Sequence, residues 1–192
     1  MQLYALCDRE LLRSRGISLE LFVQKAKKHS ATILQYRNKT DDIATIKNDL
    51  IYIRALWDGF LIINDHYELI ALCDGVHIGQ EDLNTIDTDP IKAIAILKAT
   101  IGEDKIIGLS THNAEEIRIA NYLDINYIGL GAYRSTSTKS GAKVLGNQLD
   151  TIASLSKHPV GAIGGVGLDD VFEYVTYNVI GSGLLLEDEA DI

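Results

Sequence analysis

No stretch of the chain offers the roughly 20 uninterrupted apolar residues of a membrane-spanning helix. The opening segment MQLYALCDRELL enters a strand-like run at once, with none of the basic region, long apolar segment or small-residue cleavage site of a signal peptide. Both absences point to a cytoplasmic protein with no membrane partner. Cysteine is scarce: Cys7 and Cys73 lack metal-type spacing, and in such a compartment they are expected as reduced core residues rather than as a disulfide. Basic residues are outnumbered, 18 Lys and Arg against 27 Asp and Glu, for a formal net charge of −9. That balance excludes broad nucleic-acid binding, which draws its affinity from Lys and Arg neutralising phosphates. If the ligands are anions, the cations that hold them must be gathered locally, and Arg37, Lys39 and Lys139 are the candidates. No composition shift marks a linker, so residues 1–192 read as one domain of ordinary soluble composition, 46% hydrophobic and 23% charged.

Eight runs rich in Ile, Val, Leu or Tyr read as strands, at 2–7, 31–36, 60–64, 74–78, 105–109, 125–130, 159–163 and 177–182. Helical patterns alternate with them at 18–29, 41–56, 88–99 with Pro90 near its start, 113–121, 147–156 and 168–176. Between the third and fourth strands only HYELIALC is available, about two helical turns. Continuous apolar strands alternating with amphipathic helices imply a parallel sheet covered on its outer face. Eight near-regular units favour closure into a compact (β/α)8 TIM barrel over an open doubly wound sheet. A barrel of 192 residues is short against the typical ~250, so tight loops are expected. After the eighth strand LLLEDEADI is too short and acidic for a full covering helix. Either that last helix is curtailed or another subunit, as in a homodimer, covers the surface.

Polar words end most of the strand-like runs: QYRNK, IINDHYEL, DGVHIGQED, GLSTH, GLGAYRSTSTK and AIGG. In a parallel barrel all of them open on the ligand-binding face. Alternation along QYRNK sends Gln35, Arg37 and Lys39 to one side and Tyr36 and Asn38 to the other. Arg grips phosphate oxygens in a fork, and Lys supplies a point charge. Asn64 and Asp65 end one strand, and Glu81 and Asp82 follow the next. With neighbouring strands ~4.8 Å apart, Asp65 and Asp82 can converge on one cation. Two carboxylates plus substrate phosphates suit magnesium; the structural alternative is that each aspartate caps a neighbouring loop or short helix. Ser110 or Thr111 is a natural N-cap for the helix at 113–121, and His112 is either a general base or a capping residue. The longest connection, GAYRSTSTKSGAKVLGNQ, places Thr136 and Thr138 ahead of Lys139 and suits closure over phosphate. Gly164 and Gly165, with Gly181, Ser182 and Gly183, match the phosphate cradle that many barrels build after their last two strands.

Taken together, QYRNK, LIINDHYEL, DGVHIGQEDL, IGLSTHNAEE, TSTK and AIGG resemble the motifs of the thiamine phosphate synthase family and its TenI-type relatives, from about residue 3 to 184. The resemblance implies a (β/α)8 barrel that joins hydroxymethylpyrimidine diphosphate to thiazole phosphate, releasing pyrophosphate. It implies that Gln35, Arg37, Lys39, Asn64, Ser110 and Lys139 hold the pyrimidine diphosphate, with Arg37, Lys39, Lys139 and Ser110 acting in catalysis. By the same resemblance Asp65 and Asp82 bind magnesium (Mg2+), while Thr136, Thr138, Gly165, Gly181 and Ser182 hold the thiazole phosphate.

The chain departs from that pattern in the strand-six loop, where Ala132 stands for the usual Pro and Arg134 and Ser135 for the usual Phe and Pro. The segment before the second strand, usually Gly-rich, reads KKHSA. A TenI-like thiazole tautomerase and a non-catalytic phosphate-binding regulator on the same barrel are the alternative functions. The former resembles the synthases but carries a catalytic His where this chain has Ala132.

Overall fold

The computed structural model describes residues 1–135 and 144–185. Eight parallel strands, β1 (Gln2–Asp8), β2 (Ile33–Arg37), β3 (Phe60–Asn64), β4 (Gly75–Ile78), β5 (Ile106–Thr111), β6 (Tyr127–Gly131), β7 (Val160–Ile163) and β8 (Tyr177–Ile180), pair in sequence order, and β8 pairs with β1. The expected closed (β/α)8 barrel forms. Outward residues such as Ala5, Leu34, Leu61, Val76, Ile107 and Ile128 are fully buried against the helices. This two-sided burial is why the strands read as continuous apolar runs.

The covering helices are α1 (Arg9–Ser14), α2 (Leu19–Lys28), α3 (Ile43–Leu56), α4 (Gln80–Ile86), α5 (Pro90–Ile101), α6 (Ala114–Ala120) and α7 (Gln148–Ala153). Side chains start several of them where the sequence offers a cap: Ser18 accepts from Leu21 N, Asp42 from Thr45 N and Asp89 from Ile91 N. Between β3 and β4 the chain makes only a 3-10 helix, Tyr67–Leu72. Two short helices that the apolar periodicity does not signal, α1 and α4, begin directly after strand ends.

Two expectations are corrected. The stretch 168–176 is not helical but a series of turns. It carries Val171, Phe172, Tyr174, Val175 and Thr176, branched or aromatic residues that lose rotamer freedom in a helix. Side chains satisfy its backbone instead: Asp150 accepts from Glu173 N and Tyr174 N, both at 2.9 Å, and Asn178 Nδ2 donates to Asp170 O at 2.9 Å. The second correction concerns the cap of α6. It is Asn113, accepting from Glu116 N at 2.9 Å, rather than Ser110 or Thr111. Both of those belong to β5, which runs two residues further than the apolar pattern suggests. After β8 the described chain ends in a 3-10 helix, Ser182–Leu185.

The barrel interior mixes aliphatic side chains with tyrosines. Tyr4, Leu6, Ile33, Ile62, Tyr127 and Val179 form its buried cluster, with Tyr177 against them. Inward glycines make the room: a Cβ on Gly108 would lie 2.1 Å from Tyr127 Cζ, and one on Gly129 would lie 3.1 Å from His77 Cε1. Cys7 and Cys73 are buried and free, and burial pushes the Cys73 thiol up to about 12, so neither acts as a ready nucleophile.

Candidate active site at the strand C-termini

The C-terminal end of β2 behaves as alternation predicts. Gln35 and Arg37 enter the barrel mouth, whereas Tyr36 and Asn38 turn outward, Tyr36 donating to Asp49 and Asn38 donating to Tyr36 and Asp41. Arg37 Nη1 donates to Asp8 Oδ2 at 2.5 Å, and Lys39 Nζ lies 3.0 Å from Asp65 Oδ2. Both cations of this half-site therefore rest on carboxylates contributed by neighbouring strand ends.

Asn64 ends β3 and donates from Nδ2 to Asp65 Oδ2 at 2.5 Å. Asp65 itself has φ 63, the left-handed region that Asp tolerates better than most residues. This turn is fixed by Asp65 N donating to His77 O at 2.9 Å. It directs the carboxylate across to α4, where Asp82 lies in the first turn. Burial, then the neighbouring Asp65 charge, raises the Asp82 carboxyl above its ordinary range. Neither aspartate is a helix N-cap: Gly79 precedes α4 and His66 the 3-10 helix, both without side-chain caps, while Asp65 Oδ1 accepts from Gly79 N in the loop at 3.4 Å. The two carboxylates thus face each other as oxygen donors with like charge, an arrangement that a hard divalent cation would relieve. Among the described residues no group of three or more His, Cys, Asp and Glu converges as a metal cage, and magnesium seldom takes one.

Ser110 lies inside the barrel mouth on β5, its Oγ 2.9 Å from His77 Nε2, while its carbonyl accepts from Gln80 Nε2 at 2.7 Å. Thr111 faces outward and donates to Gly129 O at 3.0 Å. His112 is occupied by α6: its N and Nδ1 both lie within 2.9 Å of Glu116 Oε2. That contact ties the His112 ring to the start of α6.

Across the barrel, Gly164 (φ 87) and Gly165 (φ 70) follow β7 in conformations that favour glycine. A Cβ on Gly164 would meet that of Ala132 at 2.7 Å, so the turn stays bare backbone. Such a turn can bring N–H groups close to an anion. Gly181 and Ser182 follow β8 beside it, Ser182 opening the 3-10 helix. The departure at Arg134 has a structural consequence. Its guanidinium forks onto both Asp170 oxygens at 2.6 Å and donates to Gly165 O at 2.8 Å, fastening the β6 loop to the glycine turn. Thr136, Thr138 and Lys139 lie outside the described residues.

Sequence reasoning missed Asp8, the partner of Arg37, and the interior tyrosines Tyr4 and Tyr127. The one available signal was that an inward-facing Tyr in a barrel strand must find a partner for its hydroxyl. His77, inside the DGVHIGQED word, also received no role.

A closed parallel barrel with cations at β2, facing carboxylates at β3 and β4, and a glycine turn after β7 defines a (β/α)8 protein that gathers these groups at its strand C-termini. Residues 3–183 match the family described as thiamine monophosphate synthase. The chain is 32% identical to a thiamine-phosphate synthase of Persephonella marina, covering 98% of this chain and 90% of the relative. It is 33% identical to one of Ruminiclostridium cellulolyticum, over 89% and 79%. Among solved structures, thiamine phosphate pyrophosphorylase from Pyrococcus furiosus superposes with a TM-score of 0.78 at 26% identity, covering 97% of this chain and 89% of that one. The chain belongs to the thiamine monophosphate synthase family.

Proposed function

We propose that the protein is a thiamine-phosphate synthase, a transferase that joins hydroxymethylpyrimidine diphosphate to thiazole phosphate, giving thiamine phosphate and pyrophosphate. The observation that carries this reading is the pairing of two anion-suited half-sites on one barrel face. Arg37 on Asp8 and Lys39 beside the Asp65–Asp82 pair lie on one side, and the Gly164–Gly165 turn lies on the other. A two-substrate condensation needs both.

In the reaction the bond from the pyrimidine methylene to the diphosphate oxygen breaks, and the thiazole nitrogen supplies the electron pair for the new carbon–nitrogen bond. Arg37 and Lys39 stabilise the charge gathering on the departing pyrophosphate with N–H donors beyond those that Asp8 and Asp65 take. Gln35, Asn64 and Ser110 orient the pyrimidine half, and no protein nucleophile is required. Asp65 and Asp82 would hold magnesium, whose charge would be shared with the diphosphate. The bare turn at Gly164–Gly165, with Gly181 and Ser182, takes the thiazole phosphate. Lys139, Thr136 and Thr138 are assigned to the same substrates by family resemblance alone. No helix among the described residues is long and apolar enough to cross a membrane, and cytoplasmic residence and a homodimer complete the proposal.

The test is a coupled assay of pyrophosphate release with both substrates and magnesium, with thiamine phosphate identified as product. Activity that requires all three supports the reading. Absence of product, together with an Asp65→Asn variant indistinguishable in binding, overturns it.

A further inference from the structure

Five interior side chains from five strands form one unbroken hydrogen-bonded line across the barrel. Gln35 Nε2 donates to Tyr4 OH at 2.7 Å, Tyr4 OH lies 2.7 Å from Tyr127 OH, Tyr127 OH lies 3.0 Å from His77 Nδ1, and His77 Nε2 lies 2.9 Å from Ser110 Oγ. Its two ends, Gln35 and Ser110, are both assigned to the pyrimidine half-site. Burial holds the two phenols well above their ordinary range, so each keeps its single hydrogen. A neutral imidazole likewise has one donor and one acceptor nitrogen.

Proton counting then leaves two ways to satisfy the whole line. In one, Gln35 donates to Tyr4, Tyr4 to Tyr127, Tyr127 to His77 Nδ1, and His77 Nε2–H to Ser110. Gln35 then keeps its carbonyl oxygen as an acceptor for the site, and Ser110 keeps its hydroxyl hydrogen as a donor. In the other every bond reverses, and so do the characters of both ends. The orientation of the Gln35 amide in the structure matches the first sense.

We propose that Tyr4, Tyr127 and His77 form a polarised relay that couples Gln35 to Ser110, so that one end presents an acceptor to the ligand whenever the other presents a donor. They are positioning residues: they act through Gln35 and Ser110 rather than by touching the reacting atoms. The matching ligand is a heteroaromatic ring that offers one hydrogen-bond donor and one acceptor to the two ends. A ring offering two of a kind leaves one buried bond unmade, a loss of roughly tenfold or more in binding. The room for the relay comes from Gly108 and Gly129, whose missing side chains leave the Tyr127 and His77 rings their places.

The inference rests on the proposed pyrimidine half-site, but its primary measurement does not need turnover. In the full chain labelled with 15N-histidine, the His77 signals are assigned by their loss in His77→Gln. The ligand-free protein is expected to show neutral His77 with its hydrogen on Nε2. Tyr127→Phe, which keeps the ring, should move those signals toward an average of both tautomers. It should also raise KM for the pyrimidine diphosphate about tenfold, leaving KM for the thiazole phosphate unchanged. Tyr4→Phe, which cuts the line one bond away, should shift both readouts the same way and serves if Tyr127→Phe does not fold. An imidazolium or an already averaged His77 in the unsubstituted protein overturns the relay. So do tautomer signals unmoved by both variants, or an equal rise in both KM values. If the unsubstituted protein does not act on the pyrimidine diphosphate, the proposed function falls, while the tautomer measurement still decides the relay.

Discussion

Asp8 holds Arg37 with one carboxylate oxygen, Oδ2 at 2.5 Å, and caps α1 with the other, Oδ1 accepting from Leu11 N at 3.0 Å. The residue is 2% exposed, so the ion pair is poorly screened and competes directly with any anion that approaches Arg37. Asp8→Asn keeps a good cap and removes the competing charge. Inorganic pyrophosphate is expected to bind about threefold to tenfold more tightly in calorimetry, the scale of one partly screened pair, with little change in melting temperature. Asp8→Ala should lose the cap as well, at about 1 kcal/mol. Unchanged or weaker pyrophosphate binding in Asp8→Asn would show that Asp8 aims Arg37 rather than restraining it.

Burial, and after it the neighbouring Asp65 charge, raises the Asp82 carboxyl, so both disfavour its ionised form without magnesium. Asp82→Asn is therefore expected to raise the melting temperature without magnesium. The same change should weaken magnesium binding by at least the 10–100-fold that loss of a metal site's outer partner costs. Scanning calorimetry with and without the ion reads both effects, and a variant less stable than its parent without magnesium contradicts the assignment.

Arg134 fastens the β6 loop to Gly165 and Asp170. Its removal in Arg134→Ala should leave the melting temperature little changed, since the guanidinium is half-exposed. The glycine turn, however, loses its outer brace. KM for thiazole phosphate should rise about tenfold, with that for the pyrimidine diphosphate unchanged. Arg134→Lys should restore little, because an ammonium cannot fork onto Asp170.

Gly108→Ala places a methyl 2.1 Å from the Tyr127 ring, with Tyr4 and Tyr177 packed around that ring. The ring has nowhere to move. A loss of about 3 kcal/mol or more is expected in urea unfolding; a loss within error would mean that the barrel interior can repack.

Asp41 is held down to about 2, from 3.8, first by its bond from Arg13 and then by Asn38. A depressed carboxylate stabilises the fold above its unfolded value and ceases to do so as pH falls. That contribution should be intact above pH 3.8 and disappear as pH falls toward about 2. Denaturation midpoints of Arg13→Ala and the unsubstituted chain should therefore differ near neutrality and converge over that interval.

Local chemistry was legible wherever it depended on neighbours in sequence. The alternation of QYRNK correctly divided Gln35 and Arg37 from Tyr36 and Asn38 because side chains on a strand alternate by geometry alone. Lys39, just beyond the strand, reaches Asp65 on the next strand end. The facing of Asp65 and Asp82 followed from the order of parallel strands. The expected helix at 168–176 failed because its periodicity was outweighed by backbone bonds to Asp150 and Asn178, residues of other elements.

By itself the sequence determined the eight-unit barrel, the face on which its polar words open, and the family. Each of these is written in short-range periodicity and compact motifs. Tertiary structure alone decided which groups restrain or complete those words: Asp8 on Arg37, Arg134 on the glycine turn, and Tyr4 on Tyr127, 123 positions away. Closing the barrel brings the first and sixth strands within a hydrogen bond of each other across its interior, and no local spacing in the chain encodes that approach.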